Sequence, residues 1–316
     1  MLFNIILLIV GLFILIMGGD FLVRGASSIA LRADMSPLVV GLTIVAFGTS
    51  APELLISIKA ALEGSPDMTM GNVVGSNICN LALVLGITAL IGPIHVQQDS
   101  IKIDWPVAMG SSILLYLVTK EKDAVISSYE GITFIILLIV YTVYIIRKSR
   151  KETKAIQAAE EQLEVTEPSQ NLWKDVLFII GGCGGLYFGA DWFVGGAKEM
   201  ASFLGVSERV IGITVLALGT SLPELVTAIV ASLKKETDLA LGNLMGSNIF
   251  NILSILGITS IIKDIHVSGA IIQDMMVMMG VTLLILPLMI YKRRMSRTSG
   301  ALLLIVYLVY TYSVIS

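Results

Sequence analysis

The segment "VVGLTIVAFGTSAPELL" at residues 39–55 returns as "VIGITVLALGTSLPELV" at residues 210–226, and each copy sets hydroxyls, a proline and a glutamate inside an otherwise apolar run. An ionised side chain deep in a bilayer is unfavourable enough that membrane proteins seldom keep one without a use for it. Glu53 and Glu224 fall on the same place in the two copies. One constant offset, without a gap, carries the chain from about Gly18 to Val96 onto its second half. It places "GNVVGSNICN" (71–80) on "GNLMGSNIFN" (242–251), "LGIT" on "LGIT" and "IHV" on "IHV". Roughly half of the positions from Ser36 to Val96 are identical to their partners, more than shared hydrophobicity produces, so the chain holds an internal repeat.

The surroundings of the repeat are those of a membrane protein. Of the 316 residues, 55% are hydrophobic and 14% charged, which excludes an ordinary soluble domain. Apolar runs long enough to cross a hydrocarbon core of about 30 Å lie near 2–23, 36–62, 68–92, 103–119, 125–146, 173–197, 208–233, 238–262, 270–291 and 299–315. The expected fold is an all-α membrane protein of about ten transmembrane helices. The first run lacks a basic amino-terminal region and a cleavage site, so it reads as a retained helix and not a secretory signal. Cys79 and Cys183 fall inside spans, where they read as small buried residues. Trp105, Trp173 and Trp192 fit interfacial anchors.

Each half holds five spans, an odd number, so the second half must enter the membrane from the opposite side. This is the inverted-repeat plan of secondary transporters, with the substrate site near the midplane where the halves meet. Residues 1–147 form the first repeat, 148–172 a linker and 173–316 the second repeat. Loops after odd-numbered spans hold Arg24, Arg32, Lys102, the basic residues from Arg147 to Lys154, Lys174, Lys234, Lys235 and those from Lys292 to Arg297. The other side holds Lys59, Lys120, Lys122, Lys198, Arg209 and Lys263. By the positive-inside rule the richer side is cytoplasmic, which puts both termini outside a cell membrane and the 148–172 loop inside. That loop passes from basic "RKSRKETK" to acidic "EEQLEVTE" and reads as a solvated connector or short amphipathic helix.

Pro52 cannot donate a backbone hydrogen bond and its ring crowds the carbonyl of Gly48, so the helix is expected to kink across "AFGTS" and free the carbonyls of Ala46 to Gly48. Irregular backbone at that depth is tolerated only in protein or beside a cavity. Where the helix persists, Thr49 and Ser50 share a face with Glu53, and Thr220, Ser221, Pro223 and Glu224 repeat the arrangement. Ser76 and Asn80 lie four apart, as do Ser247 and Asn251, and glycines 71, 75, 242 and 246 are expected to let neighbouring helices approach closely. All these groups are oxygen ligands, and His95 and His266 stand at span ends, so hard cations are favoured over zinc or copper. Two ionised glutamates balance one Ca²⁺ and leave a positive charge against three Na⁺, so a cycle alternating the two loads moves net charge. The competing reading, glutamates that merely hold helices together, lacks any Lys or Arg in the same motifs. Asp20 and Asp191, matched near the ends of the first and sixth spans, read as capping or interhelical hydrogen-bonding groups.

The paired "GTSxPE" and "GNxxGSNxxN" segments resemble the two internal repeats of the sodium/calcium exchanger family within the cation/calcium antiporters, in its compact prokaryotic form. The resemblance covers essentially the whole chain. It implies ten membrane helices, with the second, third, seventh and eighth around one Ca²⁺ site and several Na⁺ sites. It implies Glu53 and Glu224 as the Ca²⁺ carboxylates. Further ligands are implied at Ala46, Thr49, Ser50 and Ser76, at Ala217, Thr220, Ser221 and Ser247, and at the amide of Asn80. It also implies that the first and sixth spans, glycine-rich in "MGGDFLVRGA" and "GGCGGLYFGADWFVGGA", slide to open the site alternately to each side. Potassium-dependent relatives carry aspartate at the place of Asn251, so asparagine there predicts no K⁺ co-transport.

The expected protein is thus a secondary antiporter of Na⁺ and Ca²⁺, electrogenic and K⁺-independent. It needs no cofactor, no nucleic acid and no obligatory protein partner, and its surroundings are the lipid bilayer. A proton-coupled Ca²⁺ or divalent-cation antiporter and a cation channel are the alternatives. Enzymatic chemistry is not expected, since no histidine or second acid accompanies the motif serines.

Overall fold

Apolar sequence forms long helices here, and a proline two residues after a serine marks where two of them break. The computed structural model describes residues 2–120, 124–159, 171–205, 217–267 and 271–315. In the first half, α1 spans Leu2–Arg32, α2 Pro37–Thr49, α3 Ala51–Leu62, α4 Pro66–Ile91, α5 Ser100–Thr119 and α6 Ser128–Ala159. In the second, α7 spans Leu172–Phe203, α8 Ala217–Thr220, α9 Leu222–Leu233, α10 Thr237–Ile262, α11 Ile271–Ile290 and α12 Arg297–Ile315. Among the described residues, eight helices are long and apolar enough to cross a membrane, and α2 with α3, bent by 45°, makes a ninth. The remaining expected span, 208–233, is met by α8 and α9 only, because residues 206–216 lie outside the described residues.

Three helices outrun their apolar runs. α1 continues to Arg32, α6 to Ala159 and α7 to Phe203: no proline interrupts them, and the residues from Arg147 to Ala159 of α6 are mostly good helix formers. The basic part of the 148–172 segment is therefore helical through Ala159, and its acidic part lies outside the described residues. At 31 residues α1 is about 46 Å long, more than a hydrocarbon core requires. Asp20 consequently sits within α1 and not near its end. Its carboxylate lies 2.8 Å from Arg24 Nε and 2.5 Å from Lys234 Nζ, an ion pair that ties α1 to the end of α9. Asp191 is likewise inside α7, on an exposed face. The Trp105 indole N–H donates to the Thr282 carbonyl at 2.7 Å and so joins α5 to α11.

Four two-residue strands show which loops share a side. β1 (Ile94–His95) pairs antiparallel with β4 (Arg294–Met295), and β2 (Val125–Ile126) with β3 (Ile265–His266). The first pair joins the loops after α4 and α11, the second those after α5 and α10. Lys148 to Asp99 at 2.5 Å and Gln97 to Asp238 at 2.7 Å fall on the same side as the first pair. The grouping of loops expected from five spans per half is the one these contacts make.

α4 and α10 form the centre, with 72% and 78% of their spanning residues buried against at most 33% in α1, α5, α6, α7, α11 and α12. α1 and α7 run antiparallel at the periphery in backbone contact. Gly11, Gly18 and Gly25 recur every seven residues on α1, and Gly182, Gly189 and Gly196 do so on α7. A Cβ at Gly18 would stand 2.7 Å from the Leu186 nitrogen, and one at Gly189 2.7 Å from the Leu15 nitrogen. Only glycine permits that approach.

Candidate cation-binding site

Both prolines bend the chain at the residue two before them. Ser50, between α2 and α3, has φ −87° and ψ 4°, and Ser221, between α8 and α9, has φ −90° and ψ 6°. The helix persists through Thr49, so the Ala46 carbonyl is not freed. It accepts from the Ser50 N–H at 3.0 Å and the Thr49 hydroxyl at 3.4 Å. The Gly48 carbonyl is the one that loses its donor, because Pro52 has no N–H to offer it. Each bend starts a new helix, with Glu53 in the first turn of α3 and Glu224 in the first turn of α9. The positive end of a helix dipole favours a carboxylate there.

The bends cross-connect the repeats. Ser50 of the first half donates to Glu224 Oε1 at 3.1 Å, and Ser247 donates to the same oxygen at 3.4 Å. Thr49 donates to Asn243 Oδ1 at 3.1 Å and stands 3.4 Å from the Ser247 hydroxyl. Asn251 Nδ2 donates to Asn77 Oδ1 at 3.0 Å, and Asn77 donates onward to the Asn248 carbonyl at 3.2 Å. Asn72 holds the bend from behind, donating to the Glu53 carbonyl at 3.2 Å and to Ser57 Oγ at 2.9 Å. Asn72, Asn77, Asn243 and Asn248 were not among the expected ligands, although they belong to the same repeated "GNxxGSNxxN" motif and so were available to the eye.

Glu53, Glu224, Asn80, Asn251, Thr49 and Ser247 are fully buried, and Ser50, Ser76 and Ser221 nearly so. The two carboxylates lie within electrostatic reach of each other, and Cys79 lies beside Ser221. Neither oxygen of Glu53 has a hydrogen-bond partner, nor do Glu224 Oε2, Asn80 Oδ1 and Asn251 Oδ1. The amide nitrogens of Asn80, Asn243 and Asn248 and the Ser221 hydroxyl are also without a partner, but the carboxylate oxygens, which have no proton to donate when ionised, are the ones that suit positively charged cargo. Asn80 makes no bond to the carboxylates and follows Ser76 by one turn of α4. Asn251 is engaged by Asn77. Thr220 is half-buried, and Ala217 opens α8 with its side chain outside the described residues.

A cavity of about 610 Å³ reaches this centre from the Lys59 and Glu63 end of α3. Asn72, Ser76, Cys79 and Thr220 line its inner part, and Tyr307 and Tyr310 of α12 its wall. The glycines of α4 and α10 part ways here. Among the described residues, a Cβ at Gly71 or Gly75 would meet nothing within 4 Å, whereas one at Gly246 would stand 2.6 Å from the Leu42 carbonyl. Close helix approach, expected of all four glycines, therefore holds for 242 and 246, while 71 and 75 border the opening.

Residues 3–147 and 174–316 match the family described as sodium/calcium exchanger protein. The chain is 40% identical to a putative antiporter, CaxA, of Alkalimonas amylolytica over the full length of both. It is 31% identical to the sodium/calcium exchanger MaX1 of Methanosarcina acetivorans, covering 97% of each chain. Among solved structures, the sodium-calcium exchanger NCX_Mj soaked with Na⁺ and without Ca²⁺ superposes with a TM-score of 0.83 at 31% identity, covering 99% of each chain.

Proposed function

The chain belongs to the sodium/calcium exchanger protein family and is a multi-pass cation/Ca²⁺ antiporter, and on that premise we propose that it moves Ca²⁺ out of the cell against inflowing Na⁺, electrogenically and without K⁺. The observation that carries this reading is the pair of fully buried glutamates, one at each bend, whose oxygens exceed the donors offered to them. Glu53 and Glu224 are the Ca²⁺ carboxylates. Thr49, Ser50, Ser76, Asn80, Thr220, Ser221, Ser247 and Asn251, with the backbone at Ala217, supply oxygens to Ca²⁺ or Na⁺, while the Ala46 carbonyl, already accepting two hydrogen bonds, is left out. Two carboxylates balance one Ca²⁺, so a load of three Na⁺ carries an extra charge. Na⁺ and Ca²⁺ are cargo, and no cofactor takes part.

Orientation follows from charge. The loops richer in Lys and Arg face the cytoplasm, which leaves both termini outside the plasma membrane. On that assignment the 610 Å³ cavity opens outward. α1 and α7, in backbone contact along their lengths, move as one body past the α4 and α10 centre.

Reconstituted protein with internal Na⁺, diluted into Na⁺-free buffer, should accumulate Ca²⁺ at a rate that responds to membrane voltage. Uptake driven by a proton gradient and indifferent to Na⁺ would replace the driving ion. Flux without any counter-ion would indicate a channel.

Asn251 supplies a further test. Wild-type uptake is expected to be the same with and without K⁺. In Asn251→Asp the donor to Asn77 Oδ1 is lost and a negative charge is added beside that oxygen, so uptake should come to require an additional monovalent cation. K⁺ dependence of the wild type would refute the role given to this amide.

A further inference from the structure

Asn77 of α4 and Asn251 of α10 meet across the repeat boundary in contacts whose polarity is forced. Asn77 Nδ2 donates to the backbone carbonyl of Asn248 at 3.2 Å, and a carbonyl only accepts, so the other end of the Asn77 amide has to be its oxygen. That oxygen also only accepts, and it takes the Asn251 Nδ2 at 3.0 Å. Asn251 is thereby left with its own Oδ1, buried and without a partner among the described residues. The Asn251 backbone N–H donates to the same Asn248 carbonyl, where α10 passes into a π-helical turn over Asn251–Leu256, so the three residues close a ring. An amide has a donor end and an acceptor end, and a cation is bound by the acceptor end alone.

The internal repeat supplies the comparison. By its constant offset Asn248 is the counterpart of Asn77, and Asn80 that of Asn251. All four side chains are buried, yet the amide nitrogen and oxygen of both Asn80 and Asn248 lack a partner among the described residues. Met278 distinguishes the two halves. Its sulfur lies 3.6 Å from Asn77 Nδ2 as a second acceptor, which holds the donor end of that amide in place. The segments "DWPVAMG" (104–110) and "DMMVMMG" (274–280) put Ala108 at the place of Met278, and an alanine side chain has nothing to accept with. α5, which carries Ala108, packs on α10 as α11 packs on α4. An asparagine at the end of this motif is therefore not oriented by its own helix. Asn251 is oriented because Asn77 is.

We propose that Asn77 is a positioning residue for cation binding: it fixes the Asn251 amide with the oxygen toward the cargo and holds the nitrogen away from it. Both ends of the Asn77 amide are engaged, so it acts through Asn251 and not on the ion. Without it the Asn251 amide has no imposed direction, and in the reversed one its N–H groups face a cation that they repel. Groups that orient a ligand in this way matter to affinity nearly as much as the ligand itself. This inference rests on the antiport reading above and deepens it.

The test is a double-mutant cycle in reconstituted full-length protein, with kcat and KM measured separately for Na⁺ and Ca²⁺. Asn251→Ala should raise the KM of the ion that its oxygen binds. Asn77→Leu, which removes both polar ends of the side chain, should raise the KM of the same ion by about tenfold. Its kcat should stay within about twofold of the wild type, because what is lost is binding. In the Asn251→Ala background, Asn77→Leu should add less than about twofold, since no amide is left to orient. Asn77→Ser, too short to reach Asn251, carries the same expectations if the leucine variant does not accumulate. Effects of the two substitutions that multiply independently, a fall in kcat at unchanged KM, or a wild-type KM in either single variant would overturn the assignment. Absence of Na⁺-driven exchange in the wild type would instead strike the antiport reading itself.

Discussion

Glu53→Gln is expected to bring Na⁺-driven Ca²⁺ uptake to background while the purified protein remains folded and at least as heat-stable as the wild type. The two glutamates differ in their surroundings, and that difference sharpens the expectation. Both Glu53 oxygens are buried without a hydrogen-bond partner, whereas Glu224 Oε1 accepts from Ser50 and Ser247. Glutamine keeps the shape and removes the charge. A carboxylate about 4 Å from a divalent ion gains about 8 kcal/mol at an effective dielectric constant near 20. Losing half of that weakens binding by about a thousandfold. The ion-free protein, by contrast, is relieved of an unpartnered buried charge, so the thermal midpoint should not fall. Glu224→Gln should also stop transport, with a smaller gain in heat stability, since it gives up charge-assisted bonds that Glu53 does not make. The measurements are tracer uptake into vesicles and thermal unfolding in detergent without Ca²⁺. Uptake above about a tenth of the wild-type rate in folded Glu53→Gln would remove this carboxylate from the ion site.

The second large effect is on the α1 and α7 pair. Gly189→Leu is expected to lower the unfolding midpoint by about 10 °C or to prevent accumulation of folded protein altogether, while Gly181→Leu on the same helix leaves both unchanged. A Cβ at Gly189 would stand 2.7 Å from the Leu15 nitrogen and 2.9 Å from the Gly11 carbonyl, so the added atoms meet backbone that cannot swing aside. A Cβ at Gly181 meets none of the described residues within 4 Å. Overpacking a well-packed contact typically costs about 1–3 kcal/mol, and a clash with rigid backbone lies at or above the top of that range. Equal behaviour of the two variants in size-exclusion chromatography after heating would show that α1 and α7 do not depend on backbone contact.

Much of this was legible in the chain because the signals are local or are written twice. The apolar runs, the repeat and the two bends at Pro52 and Pro223 need only hydropathy, alignment and the missing amide hydrogen. The lengths of α1 and α6 were not legible, because apolar runs report the hydrocarbon core and not where a helix ends in water or headgroups. Neither were Asn77 and Asn243. Their motif was visible, but helical spacing relates a side chain to its own helix and not to Thr49 or Asn251 across the repeat boundary.

The sequence by itself determined that this is a membrane protein of two inverted halves, each with a proline-broken helix and a glutamate at the break. It treats those halves alike. Only the tertiary structure decided that Gly71 and Gly75 face a cavity while Gly242 and Gly246 lie beneath Leu38 and Leu42, and that Ser50 of one half serves the carboxylate of the other. The physical reason is that equivalent local sequences can occupy two packings of similar free energy, and which half is open is a property of how the helices sit against one another, not of either segment alone.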